Sequence, residues 1–427
     1  MTPESPTATT IARAETMLET KTTPRFPGMP EPSPLARHWT LSKDITFLNH
    51  GSYGASPSDV IAEQRRIQDL MEAEPVNFFL IELERLSDET RRVLGEFVGA
   101  EPENIALLPN ATTAVATVIH NLDLKPGDEV LVNSHEYASC LSEFDRLARA
   151  KGFKIIEAKL PFPAASSSHL RDAILDAMTE RTRVCLVSSV TSPSALVLPV
   201  EEIVDECRQR GIISIVDGAH APGQMRCSVE KLGCDFFAAN LHKWICAPKG
   251  AAFLWVHPKH QNGFEPLTLS SRARFVREDR SPFLGLFDYV GTKDYSSVLA
   301  APVAVRTIGS MLPGGWDEVI EQNHRLVLEG RDILCDRLGI IPTCPDELNG
   351  SMSALILPGK TEAYGAVRAG RYDDPVQHEL VTRFGIQVPV WGTGSGTRVI
   401  RISAQLYNTP AQYEYLADAL KKILPAP

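Results

Sequence analysis

The chain is poor in several things, and each shortage removes a class of function. No uninterrupted apolar run in its 427 residues approaches the ~20 that a bilayer-crossing helix needs. Positive charge is in deficit: 43 Lys and Arg against 53 Asp and Glu give a formal net charge of −10, with no basic cluster. Such a surface repels phosphate backbones and anionic lipid, so neither nucleic acid nor a membrane is expected as a partner. Cys-x-x-Cys pairs are missing. The eight cysteines lie scattered from Cys140 to Cys344, which suits reduced thiols in a cytoplasmic protein better than a disulfide framework. Helical His-x-x-x-His spacing is missing as well, and no three or four ligands converge, so no metal is expected.

From Met1 to about Pro34 there is no apolar periodicity either. The segment lacks the apolar core of a secretory signal, and Glu4, Glu15 and Glu19 do not suit an acid-poor transit peptide. A disordered tail over residues 1–34 is the expectation. Beyond it, short β-rich runs alternate with helical stretches. The runs are Ile105–Leu108, Glu129–Asn133, Lys154–Ala158, Val184–Ser188, Ile212–Val216, Phe236–Ala239 and Ala252–Val256. The alternation predicts an α/β fold with a mostly parallel seven-stranded sheet covered on both faces. This large domain, 35–300, carries an N-terminal segment with a short strand at Thr46–Asn49. No helix separates the last two runs, so the last is expected to pair antiparallel at one edge. A long helix from about Ala301 to Leu338, strands at Ser353–Leu357 and Val399–Ser403, and a closing helix near Ala411–Ile423 predict a smaller α+β domain over 301–427.

Open parallel sheets bind ligands beyond the carboxyl ends of their strands, and four groups of candidates fall there. Ser214-Ile215-Val216-Asp217-Gly218-Ala219-His220 sets a carboxylate at the end of one apolar strand. Ala239-Asn240-Leu241-His242-Lys243-Trp244 sets a lysine after the next. Pyridoxal phosphate chemistry asks for this pair: a lysine amine for the Schiff base, and an acid that keeps the pyridine nitrogen protonated so that the ring accepts electrons. Pro109-Asn110-Ala111-Thr112-Thr113 opens a helix, where backbone N–H groups can hold a phosphate or simply form an N-cap. Ser134-His135-Glu136-Tyr137 offers an aromatic ring to lie on a pyridine, or a plain loop tyrosine. Thr191-Ser192-Pro193 is a polar bend. His220, three residues past Asp217, is placed to bond a cofactor oxygen or to move protons.

Together with Leu48-Asn49-His50-Gly51-Ser52-Tyr53-Gly54, Glu74-Pro75-Val76-Asn77-Phe78 and Gly291-Thr292-Lys293-Asp294, these motifs resemble the class V aminotransferase-like group of fold-type I pyridoxal phosphate enzymes. The likeness spans about Phe47 to Ile423 and is strongest to the isopenicillin N epimerase-like branch. It implies that Lys243 carries the cofactor, Asp217 pairs with the pyridinium nitrogen, His220 contacts the phenolic oxygen and Tyr137 stacks on the ring. Ala111 and Thr112, with Ser192, Asn240 and His242, would complete the cofactor site. Thr292 would reach the phosphate from the neighbouring subunit of a homodimer. Arg401 would clamp the α-carboxylate of an amino-acid substrate, a task suited to a bidentate guanidinium, with Asn49 and His50 beside it.

Cysteine desulfurases of this group carry a nucleophilic cysteine shortly before that arginine. The stretch Val388–Gly396 has none, so a desulfurase is not expected. An external aldimine to the substrate amine, which frees Lys243 as the base at Cα, and a quinonoid stabilised by Asp217 would instead serve epimerisation, with Tyr137, His135 or His50 as a second acid/base. The alternative is a C–S lyase acting on a cysteine conjugate or its sulfoxide; a transaminase, a cyclase and a non-catalytic binding protein rank below it. Phe78, Phe79 and Trp391 are candidates for pocket walls, and Gly392–Gly396 for a loop over the cofactor.

Overall fold

The computed structural model describes residues 26–275, 277–360, 374–392 and 396–424. Most of the expected tail, residues 1–25, lies outside them, as does most of the glycine-rich Gly392–Gly396. Ordered packing starts upstream of Leu35: Met29 is buried, and the Ser33 N–H bonds the Tyr407 carbonyl at 3.0 Å.

Among the described residues, twelve strands are arranged in three sheets. In chain order they are β1 (Thr46–Phe47), β2 (Ile105–Leu108), β3 (Glu129–Asn133), β4 (Lys154–Ala158), β5 (Thr182–Ser188), β6 (Ile213–Asp217), β7 (Phe236–Asn240), β8 (Ala252–Val256), β9 (Met352–Lys360), β10 (Ile386–Gln387), β11 (Val390–Gly392) and β12 (Thr397–Ser403). The large sheet has the order β2-β8-β7-β6-β5-β3-β4. Its inner strands are buried on both sides, so successive residues serve opposite cores, while the edge strand β4 is partly exposed. Leu131, Cys185, Val187, Val216 and Phe237 enter one core, under the helices Ser58–Ala73, Leu83–Val98 and Val200–Gln209. Val130, Val132, Val184, Leu186, Ile215 and Phe236 enter the other, under Ala111–Asn121 and Ala138–Lys151.

Two expectations need correction. β8 does run antiparallel to β7, yet it is not an edge strand, because β2 pairs outside it through Ile105↔Trp255 and Leu108↔Ala252. A pairing between strands 144 positions apart leaves no local mark on the sequence. The long helix also divides, into Ala301–Gly309 and Gly315–Leu338. Pro313 removes a backbone donor and clashes with the preceding turn, and Gly315 adopts φ +65°.

The smaller sheet, β11-β12-β9, is antiparallel and packs on the helices Gly315–Leu338, Pro375–Phe384 and Pro410–Ile423. β1 pairs with β10, and Leu48 enters this second core. The N-terminal segment therefore ties the C-terminal unit to the loop that follows β7.

Candidate active site

The candidate side chains cluster beyond the carboxyl ends of β5, β6 and β7. Past β7, Lys243 sits in a tight turn closed by the Cys246 N–H to the Lys243 carbonyl at 3.0 Å, with Cys246 at φ 63°. A Cβ at Gly54 would lie 1.9 Å from the His242 carbonyl oxygen, so only glycine lets the short helix His50–Tyr53 end against that turn. His50 braces the turn from behind. Its Nε2 lies 2.9 Å from the Lys243 carbonyl, and its Nδ1 lies 2.8 Å from the Tyr407 hydroxyl. A carbonyl only accepts, so Nε2 carries the proton and Nδ1 accepts from Tyr407. Burial pushes the imidazole down to about 3. Fully buried, with both ring nitrogens engaged, His50 has none left for a substrate or for a second proton transfer. Both expectations for it are corrected: it positions the lysine loop.

The Lys243 Nζ lies 3.0 Å from His220 Nε2, and Trp244 Nε1 lies 3.3 Å from His220 Nδ1. Burial lowers the Lys243 amine to about 8; Asp217 opposes that shift and Arg401 reinforces it. Asp217 closes β6 and is buried. It accepts the Ala219 N–H at 2.9 Å and the Cys140 thiol at 3.7 Å, and among the described residues no cation is hydrogen-bonded to it. Burial raises its carboxyl above the usual range. A second buried carboxylate stands one strand away, since Ser188 is the register partner of Asp217. Glu136 accepts the Ser188 N–H at 2.8 Å, the Ser188 hydroxyl at 2.5 Å and a bond from Asn133. Burial pushes this carboxyl up to about 8, opposed by the Ser188 bonds and helped by Asp217.

At the other end of the site, Asn110 caps the helix Ala111–Asn121 by accepting the Thr113 N–H at 2.8 Å. Asn240 accepts the Ala111 N–H at 2.9 Å. The Thr112 amide, a donor at a positive helix end, has no partner among the described residues. His242 is held by Nδ1 on the Ala251 carbonyl at 3.0 Å.

Arg401, on β12, reaches back from the smaller sheet. Its guanidinium bonds Ser192 through the carbonyl and, at 3.3 Å, the hydroxyl, and bonds the Ser52 hydroxyl at 2.9 Å. It lies 5.8 Å from the centre of the Trp391 ring. Nε has no partner among the described residues, and no carboxylate pairs with this buried cation. Burial lowers it to about 10, with Tyr137 and Tyr53 near enough to oppose the shift.

Tyr137 precedes the helix Ala138–Lys151 and is 44% exposed. Asn49 turns inward to its own helix, accepting the Ser52 hydroxyl at 2.6 Å. Thr292 stands apart, exposed and bonded to the Tyr289 hydroxyl at 2.6 Å. His135 is tied to Ser194 at 2.8 Å, and Phe78 is core. The sequence reading overlooked Glu136, Cys140, Ser52, Tyr407 and the bond made by Trp244. Only Glu136 left a signal, as an acid three residues past a strand whose centre, Val130-Leu131-Val132, is apolar.

The donor set fits pyridoxal phosphate: a buried amine of lowered proton affinity, a buried carboxylate without a cation, and an open amide at a helix N-terminus. Comparison with known proteins agrees. The family model for aminotransferase class-V matches residues 65–284. Isopenicillin N epimerase of Streptomyces clavuligerus is 32% identical over 395 residues, covering 89% of this chain and 95% of that one. A probable chloroplastic L-cysteine desulfhydrase of Arabidopsis thaliana is 28% identical over 410 residues, covering 89% and 83%. Among solved structures, a variant of the C–S lyase C-DES, with glycine covalently linked to its PLP cofactor, superposes with a TM-score of 0.75 at 18% identity, covering 90% of this chain and 98% of that one. At that identity the likeness shows the fold-type I architecture.

Proposed function

This chain belongs to the class V aminotransferase family and is an enzyme of that pyridoxal 5′-phosphate-dependent class; from that premise we propose that it moves the proton at Cα of an α-amino acid, with epimerisation as the reaction. The observation that carries the reading is the buried Lys243 amine beside Asp217 at one sheet edge, facing a buried arginine that has no counter-ion among the described residues. The cofactor supplies the sink for negative charge at Cα. Asp217 holds the proton of the ring nitrogen, and the Ala111 and Thr112 end of the helix, with Asn240 and His242, holds the phosphate. Arg401 grips the substrate carboxylate, kept in place by Ser192 and Ser52, and its free Nε supplies one arm of a bidentate pair. Lys243, neutral in a useful fraction near pH 8, takes the Cα proton.

Epimerisation needs a second acid/base to return the proton from the other side. With His50 and His135 tied to structural partners, Tyr137 is the group left, its hydroxyl without a hydrogen bond among the described residues. The bacterial epimerase relatives support this reading. The plant desulfhydrase relatives support a second one, β-elimination from cysteine or a cysteine conjugate, which needs only Lys243 as base. A persulfide route has no carrier: Cys344 is the last cysteine, and Cys140, beside Asp217, is a buried thiol pushed well above its usual range.

The test is incubation of the cofactor-loaded protein in D₂O with isopenicillin N, with cysteine, and with S-substituted cysteines and their sulfoxides, followed by proton NMR. Loss of the α-proton with the other diastereomer appearing supports the epimerase. Pyruvate with a released sulfur fragment supports the lyase. Silence from every substrate would sink both.

A further inference from the structure

His220 is hemmed in so tightly that its proton has one place to go. The residue is buried, and so is the indole of Trp244, packed among Val190, Ala195, Met352 and Ala354. An indole nitrogen donates and cannot accept. With Trp244 Nε1 3.3 Å from Nδ1 of His220, that ring nitrogen must offer its lone pair. Protonating it would set two N–H groups head to head in a buried place and leave both unsatisfied. A doubly protonated ring is opposed by burial and by the nearby charges of Lys243 and Arg401. With Lys243 as the neutral amine, which accepts, the remaining proton sits on Nε2, 3.0 Å from the Lys243 nitrogen.

We propose that Trp244 is a positioning residue: its indole N–H fixes His220 in the Nε2–H tautomer, so that His220 is a donor towards the lysine amine and towards the phenolic oxygen of the bound cofactor. The second half rests on the reading of His220 as a cofactor ligand; the first half does not. A donor at that oxygen favours its ionised form, whereas a bare Nδ1-protonated ring would present a lone pair and disfavour it. Trp244 thereby acts on the cofactor without touching it, through the one nitrogen of His220 that it occupies.

The first readout needs no cofactor. In cofactor-free protein labelled with ¹⁵N-histidine, the His220 signals are assigned by their disappearance in His220→Asn. Between pH 9 and 10, where the Lys243 amine is neutral and can accept, the wild type should show a protonated Nε2 and an unprotonated Nδ1; a protonated Nδ1 would overturn the proposal. Trp244→Phe should mix the two tautomers, and a single unchanged tautomer in that folded variant would overturn the role of Trp244. If this variant does not fold, the wild-type tautomer still decides. In the loaded enzyme, Trp244→Phe should move the pH midpoint of the cofactor's visible absorbance upward by about one unit, the size of a lost hydrogen bond to a charged oxygen. An unmoved midpoint would overturn the extension to the cofactor. A wild type with no visible band at all would count against the cofactor reading alone, leaving the tautomer to stand or fall on the nitrogen spectra.

Discussion

At the scale of single residues, the site is governed by what burial does to charge. Lys243 is desolvated, which favours the neutral amine, and Asp217 only partly restores the ammonium form, so the amine titrates at about 8. An exposed lysine titrates near about 10.4. The rate at which cofactor-free protein captures pyridoxal phosphate should therefore rise with pH through a midpoint near 8; a midpoint above 10 would show an ordinary lysine. Lys243→Ala should remove both the visible absorption and turnover. Arg401→Ala should raise KM for α-amino acids by about 10²-fold or more, as loss of a charged bidentate pair implies, and an unchanged KM would remove Arg401 from the substrate site. What could be read from the sequence at this scale follows separation along the chain. Lys243 and Asp217 were legible because each follows its own apolar strand. Ser52 was not, since it meets Arg401 across 349 positions, nor was Tyr407, which meets His50 across 357. Trp244 was in view as a flank of Lys243, but its bond to His220 depends on how two loops fold together.

At the scale of elements, the sheet brings two carboxylates side by side, and one of them carries a cost that depends on pH. Glu136 titrates at about 8 in the fold and near about 4.3 in an unfolded chain. With its pKa raised by folding, the folded state binds the extra proton, so this group's favourable contribution is full below about 4.3 and is lost as pH rises through 8. Glu136→Gln keeps the acceptor for Ser188 while removing the charge. Its stability relative to wild type should improve from pH 5 to pH 9, by about a few kcal/mol, as read from urea midpoints. A flat difference would mean that Glu136 is ionised throughout. Glu136→Ala should follow the same pH trend but lie about 1–3 kcal/mol below Glu136→Gln at every pH, because buried donors on Ser188 and Asn133 lose their acceptor. Strands and helices themselves were largely legible, since strands buried on both faces stand out as apolar runs. The errors fell where pairing is remote, as for β2 outside β8, or where a Pro-Gly-Gly run interrupts apolar spacing, as at Pro313.

At the scale of the whole molecule, one expected site residue remains unaccounted for within the single chain. Thr292 is exposed and bonds only Tyr289 among the described residues, while the proposed phosphate end of the site has an amide, that of Thr112, with no partner among those residues. Nearby in the chain's own surface, Val76, Leu80 and Ile81 are 74%, 70% and 60% exposed, more apolar exposure on one segment than a solvated face needs. Both observations are met if a second copy covers that segment and delivers Thr292 to the partner's phosphate. Mixing subunits tests this directly. Lys243→Ala and Thr292→Glu homodimers should each be inactive, the second because a carboxylate repels the phosphate. After dissociation and random reassociation, half the dimers are mixed, and in each mixed dimer one of two sites has Lys243 from one copy and Thr292 from the other. Roughly a quarter of wild-type activity should return. If Thr292 instead serves its own subunit, every site keeps one defect and nothing returns.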